Sequence, residues 1–228
     1  MKCFIPLLLV LILVVNISAC NKQNNSSFEE FQPVTMSFSK DSVNEFMNII
    51  KKMYGNTPYS GYILSEEHCF NVTPKDVAEQ TKYKIFKFSD SCASFVMLDN
   101  EVFELCQSFG GYGYTNALPC DFDNDGNLDL LVSSSYGSGI HCSQISIFNG
   151  ETKKSTVLHE ELDTDLIVVL SSSKIFTHDE NDKSLAFSVW SINLSVTDDN
   201  FVNLSYTLQD AIGTIDYLDN SPKFIPYS

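Results

Sequence analysis

From residue 81 to residue 208, the chain is a succession of short strand-like segments, in several of which apolar and polar residues alternate, while Leu128 to Ser133 and Leu166 to Leu170 are mainly apolar runs. These segments are Tyr83 to Phe88, Ser94 to Leu98, Val102 to Leu105, Leu128 to Ser133, Ile140 to Phe148, Leu166 to Leu170, Leu185 to Val196 and Phe201 to Leu208. A period of two is typical of strands with one buried face. Asp99-Asn100 predicts a tight hairpin between two of them. The pattern predicts a mainly β fold of antiparallel strands, either propeller-like or a sandwich.

Helical periodicity is found only before this region. The apolar stripe from Val43 to Met53 predicts a helix over 42–54 that ends at Gly55. Thr73-Pro74 is a helix-start signal and predicts a short helix through Gln80. We therefore expect an α+β variant of the mainly β class, in which one or two N-terminal helices cover a sheet.

The charge balance excludes one large class of partner. The 228 residues carry 29 acidic side chains against 14 basic ones, all of them Lys, which gives a formal net charge of −15. Nucleic-acid binding needs clustered Lys and Arg to neutralise phosphates, so no nucleic-acid partner is expected. The hydrophobic fraction of 43% and the 17 Phe residues are enough for a packed core.

The first 19 residues predict an export signal. Lys2 precedes 13 largely apolar residues, Cys3 to Val15, which is too short a run to span a bilayer as a helix. Ile17-Ser18-Ala19-Cys20 resembles the bacterial lipobox. The resemblance implies cleavage before Cys20, lipid on its sulfur and attachment to the extracytoplasmic face of the cell membrane. The alternative is an ordinary secretory signal. We expect a lipidated tether over 20–38 and a single β-rich domain over 39–228.

One loop has the residue pattern of a metal-binding site. Its sequence is Asp121-Phe122-Asp123-Asn124-Asp125-Gly126-Asn127-Leu128-Asp129. Alternating carboxylates with Gly at a sharp turn are how a short loop surrounds a hard cation such as Ca²⁺. The expected ligands are the side chains of Asp121, Asp123, Asp125 and Asp129 and the carbonyl of Asn127. An EF-hand requires Glu at the twelfth position, which is Val132 here. The alternative is an acidic turn without a cation.

The loop resembles the DxDxDGxxD calcium loop of FG-GAP and VCBS-type repeats. That resemblance implies calcium as a structural cofactor and a loop that joins two strands of a propeller blade. Only one good copy is present, because a second acidic stretch, Asp179 to Leu185, has Lys183 where the Gly should be. The layout of the loop and the Gly-Ser-Gly-Ile-His segment that follows it also resembles uncharacterised secreted proteins of Gram-positive bacteria.

The segment after the loop, Tyr136 to His141, contains the candidate ligand contacts Tyr136, Ser138 and His141. Its Gly-Ser-Gly lacks the G-x-S-x-G spacing of a nucleophile elbow. The acidic run from Glu160 to Asp165 predicts a solvated face. We expect a non-catalytic binding or envelope protein whose partner is an extracellular protein or glycan. The alternative is an exported hydrolase with structural calcium.

Five cysteines follow Cys20, and sequence leaves their state open. Cys92 with Cys106 and Cys120 with Cys142 are two pairings that a disulfide could make in an exported protein. The alternative is that the thiols act as small buried hydrophobic side chains.

Overall fold

The computed structural model describes residues 38–55, 57–59, 61–106, 110–123, 125–171, 186–196 and 202–228. The predicted signal, nearly all of the predicted tether and the second acidic stretch lie outside these residues. None of the helices in the described part is long and apolar enough to cross a membrane.

The described residues form two helices and twelve strands. In chain order these are α1 (Val43–Tyr54), β1 (Cys69–Asn71), α2 (Lys75–Gln80), β2 (Lys84–Phe88), β3 (Ser94–Leu98), β4 (Glu101–Cys106), β5 (Gly113–Cys120), β6 (Asp129–Tyr136), β7 (Cys142–Asn149), β8 (Lys154–Leu162), β9 (Asp165–Ser171), β10 (Ala186–Val196), β11 (Leu204–Leu218) and β12 (Ser221–Pro226). The predicted mainly β class with two N-terminal helices is confirmed.

The strands form three antiparallel sheets of four, each ordered as the strands follow one another along the chain. We call β1–β4 sheet 1, β5–β8 sheet 2 and β9–β12 sheet 3. Both residues of Asp99-Asn100 and both residues of Asp219-Asn220 have positive φ, which is the conformation of a two-residue hairpin turn. The described sheets do not close into a barrel, and their packing is sandwich-like.

Apolar side chains hold the layers together on both faces of the inner sheets. The buried face of α1 packs on sheet 1, where Phe46 stacks on Phe86 with ring centroids 4.1 Å apart. A second cluster, which includes Val96 and Leu130, joins sheet 1 to sheet 2. A third, which includes Ile145 and Val168, joins sheet 2 to β9 and its neighbours. Sheet 2 is therefore covered on both faces.

The outer edge of β9 meets serines of sheet 2. The backbone N–H of Val168 donates to Ser133 Oγ at 2.9 Å, and the N–H of Leu166 donates to Ser143 Oγ at 3.0 Å. Both serines are almost fully buried. Edge-strand donors that would otherwise be buried without a partner are thus satisfied by hydroxyls from another sheet.

Candidate metal centre and the opposite end of sheet 2

The acidic loop joins β5 to β6 at one end of sheet 2. The backbone N–H of Asp125 donates to Asp121 Oδ1 at 3.1 Å and to Asp123 Oδ1 at 3.2 Å. The N–H of Gly126 donates to Asp121 Oδ2 at 3.1 Å. Gly126 has φ +87°, a backbone conformation that residues other than glycine rarely adopt. The chain therefore folds back on its own carboxylates.

Three of the predicted ligands lie together. One carboxylate oxygen from each of Asp121, Asp123 and Asp125 lies within 4.8 Å of the other two. Two oxygens that each lie 2.3–2.6 Å from one Ca²⁺ are separated by at most about 5 Å. The spacing and the all-oxygen donor set therefore fit a hard divalent cation.

The other two predicted ligands have separate roles in the loop. Asn127 donates its backbone N–H to Asp125 Oδ1 at 2.6 Å and its side-chain amide to Oδ2 at 3.1 Å. These bonds lower the pKa of Asp125. Asp129 is not part of the three-carboxylate cluster, and its Oδ1 accepts hydrogen bonds from Asn149 Nδ2 and the Gly150 N–H. Its side chain is buried, which raises the pKa of Asp129.

The segment from Tyr136 to His141 lies at the opposite end of β6. Tyr136 lies seven residues after Asp129 along this strand, a rise of about 23 Å. The candidate metal loop and the candidate ligand contacts therefore belong to two separate places on sheet 2.

At this opposite end the structure pairs residues that are distant in sequence. His141 Nε2 lies 2.7 Å from Asp165 Oδ1, and the Tyr112 ring packs edge-on against the imidazole. Tyr136 donates its hydroxyl to Glu160 Oε2 at 2.5 Å, and this bond raises the pKa of Tyr136. Ser138 is exposed in the turn.

The sequence predicts a solvated face from Glu160 to Asp165, and Glu160 is exposed, whereas Asp165 is partly buried. Sequence reasoning missed both residues as partners in this cluster. No local signal identifies them, because strand pairing brings Glu160 of β8, and the start of β9 brings Asp165, to partners 24 residues earlier in the chain. Asn149, which holds Asp129, was missed for the same reason.

The described cysteines are all free thiols, and four of the five are buried. Burial raises the pKa of Cys106 to about 12, so this thiol is not activated. Cys120 pairs with Asp129 at one end of β6, whereas Cys142 pairs with Tyr136 at the other. That separation excludes a Cys120–Cys142 disulfide, which needs Cα atoms within about 7 Å.

Neither the family models nor the curated proteins and solved structures with which this chain was compared gave a match. The functional argument therefore rests on the residues themselves.

Proposed function

We propose that this protein is a membrane-anchored, extracytoplasmic lipoprotein with a structural calcium loop, acting as a non-catalytic binding or envelope protein. The observation that carries the proposal is the clustering of the Asp121, Asp123 and Asp125 carboxylates within 4.8 Å. Like charges at this distance repel one another unless protons or a cation compensate them. A divalent cation is the counter-charge that all-oxygen loops of this kind take.

The membrane attachment rests on the sequence at the N-terminus. Ile17-Ser18-Ala19-Cys20 provides the lipidation signal, and lipid at Cys20 supplies the attachment. With a formal net charge of −15, the protein does not adhere to anionic phospholipid by charge. The β domain then stands away from the membrane, where it meets an extracellular protein or a glycan.

The cation, when bound, supplies positive charge to the loop, and the chain supplies the frame around it. The turn at Gly126 brings the first three carboxylates together. Asn149, the last residue of β7, and Gly150, in the β7–β8 turn, hold the Asp129 carboxylate at the start of β6. Cation binding at the first three carboxylates therefore stabilises the turn that joins β5 to β6.

The test is thermal unfolding of the purified protein with and without calcium. At about 1 mM calcium, a site with a Kd of roughly 10⁻⁴ to 10⁻³ M raises the free energy of unfolding by about 0.4–1.4 kcal/mol. For a domain of this size the melting temperature rises by about 1–5 °C.

Two double variants make this test specific. Asp121→Ala with Asp125→Ala should abolish the rise. Asp76→Ala with Glu79→Ala removes two exposed acids from α2 and should leave the rise intact. If wild type shows no rise at about 10 mM calcium, the calcium proposal is wrong.

A second candidate, an exported hydrolase with structural calcium, is favoured by the 2.7 Å contact between His141 Nε2 and Asp165 Oδ1. In many acyl-transfer enzymes a carboxylate orients a histidine imidazole that acts as the general base. Turnover of p-nitrophenyl esters by wild type, lost in His141→Gln with unfolding unchanged, would support it. Absence of ester turnover by wild type would contradict the hypothesis that the protein is an esterase.

A further inference from the structure

A cleft of about 370 Å³ lies beside the acidic loop. One wall comes from sheet 1 and the end of α2, through Gln80, Lys82 and Asp99. The facing wall comes from sheet 2, through Asn127 of the acidic loop and Glu151 of the β7–β8 turn. The volume is in the range of small-molecule sites, which are commonly 300–1,000 Å³.

The side chains that line the cleft carry both donors and acceptors. Lys82 and the amide of Gln80 donate, whereas the carboxylates of Asp99 and Glu151 accept. The Asn127 amide already donates one hydrogen to Asp125. Lys82 Nζ lies 3.9 Å from Asp99 Oδ1, and both side chains are largely exposed, so this pair is weak and its groups are available to a ligand.

Charge narrows the class of ligand. Two carboxylates against one ammonium give the lining a net charge of −1, which disfavours an anion, and a cation has a stronger site at the three clustered carboxylates of the adjoining loop. A strongly apolar ligand would bury these charged groups without partners. A neutral ligand with several hydroxyls satisfies both kinds of group, because each hydroxyl donates once and accepts twice.

Hydrogen bonds connect the cleft to the acidic loop. The Tyr83 hydroxyl donates to the Leu128 carbonyl at 2.5 Å across the junction of the two sheets. A Cβ on Gly150 would lie 2.0 Å from this hydroxyl, so only Gly permits the approach. Gly150 in turn donates its N–H to Asp129. The loop that would hold the cation is therefore also a wall of the cleft.

We propose that this cleft binds a neutral saccharide and that calcium in the acidic loop strengthens the binding. The proposal rests on the proposed function, since it names the ligand class of the binding protein and the place where that ligand sits. By linkage, the saccharide then raises the affinity of the loop for calcium by the same factor.

The experiment is amide NMR of the full-length protein in a sugar-free zwitterionic detergent, titrated with chitobiose, cellobiose or maltose to about 10 mM, with calcium or with EDTA. Expected shifts lie at the Gly126, Asn127 and Gly150 amides, for at least one sugar, and the apparent Kd falls severalfold with calcium. Gln80→Trp places a bulky ring at the cleft and should remove the shifts. Ala78→Trp, about 200° round α2, should retain them.

The outcomes separate the two proposals. A calcium-dependent rise in melting temperature without any sugar-induced shift overturns the saccharide site and leaves the calcium loop standing. Shifts that persist in Gln80→Trp, or that are equal with calcium and EDTA, also overturn the inference. If Gln80→Trp fails to fold, Glu151→Ala replaces it, and an unchanged affinity in that variant counts against the cleft.

Discussion

Replacing Ser133 with Ala should weaken the junction between sheet 2 and β9. Ser133 is fully buried, and its hydroxyl oxygen accepts the Val168 N–H at 2.9 Å on the outer edge of β9. The Ala variant leaves this N–H without its partner inside the core. A buried donor that loses its partner costs about 1–3 kcal/mol, which corresponds to a fall in melting temperature of about 2–12 °C for a domain of this size.

Urea unfolding followed by circular dichroism measures this loss directly, and Ser146→Ala is the matched control. Ser146 lies on β7 and is also buried, but its hydroxyl has no hydrogen-bond partner among the described residues. The same chemical change there should cost less than about 0.5 kcal/mol. Equal losses in the two variants, or a smaller loss for Ser133→Ala, would refute the view that serines satisfy the edge of β9.

Three further predictions follow from single groups. Burial raises the pKa of Asp129, so the folded state favours the protonated carboxyl, and this contribution to stability is lost as pH rises through the raised pKa. Asp129→Asn in EDTA should therefore melt no lower than wild type at neutral pH. Lys40 donates hydrogen bonds to the backbone carbonyls of Glu66, Glu67 and Cys69. Lys40→Met should therefore lower the free energy of unfolding by about 1–2 kcal/mol, and the control Lys52→Met should change it little. Of the thiols in the described residues, Cys142 should react first with a disulfide reagent in the native state, and equal rates for Cys69 and Cys142 would contradict the burial pattern.

The sequence predicts those parts of the candidate site that are formed by residues close to one another in the chain. The cluster of Asp121, Asp123 and Asp125 forms within five residues, so its spacing is visible as a motif. The Asp129 contact with Asn149 and the His141 contact with Asp165 depend on strand register 20 or more residues away. A single chain without geometry gives no signal for contacts of this kind.

The same distinction explains which strands the alternation revealed. The hairpin at Asp99-Asn100, the strands β2, β3, β6, β7 and β10, and β11 as far as Leu208 follow the pattern because their buried faces are apolar. The edge strands β4 and β9 were predicted as well, whereas β11 beyond Leu208 was not. The missed strands β1, β5, β8 and β12 are all at sheet edges. β1 has three residues, β5 and β12 contain proline, and β8 is mostly exposed.

Edge strands differ because one side of each lacks a partner in its sheet. Proline is tolerated there since its missing N–H leaves no ladder bond unmade, and polar residues discourage pairing with another molecule. Those features remove the alternation by which a strand is recognised. β4 and β9 are the edge strands that keep a recognisable apolar pattern, and the edge of β9 is covered by Ser133 and Ser143. A hydrophobic edge is compatible with this fold because buried hydroxyls occupy the place of a neighbouring strand.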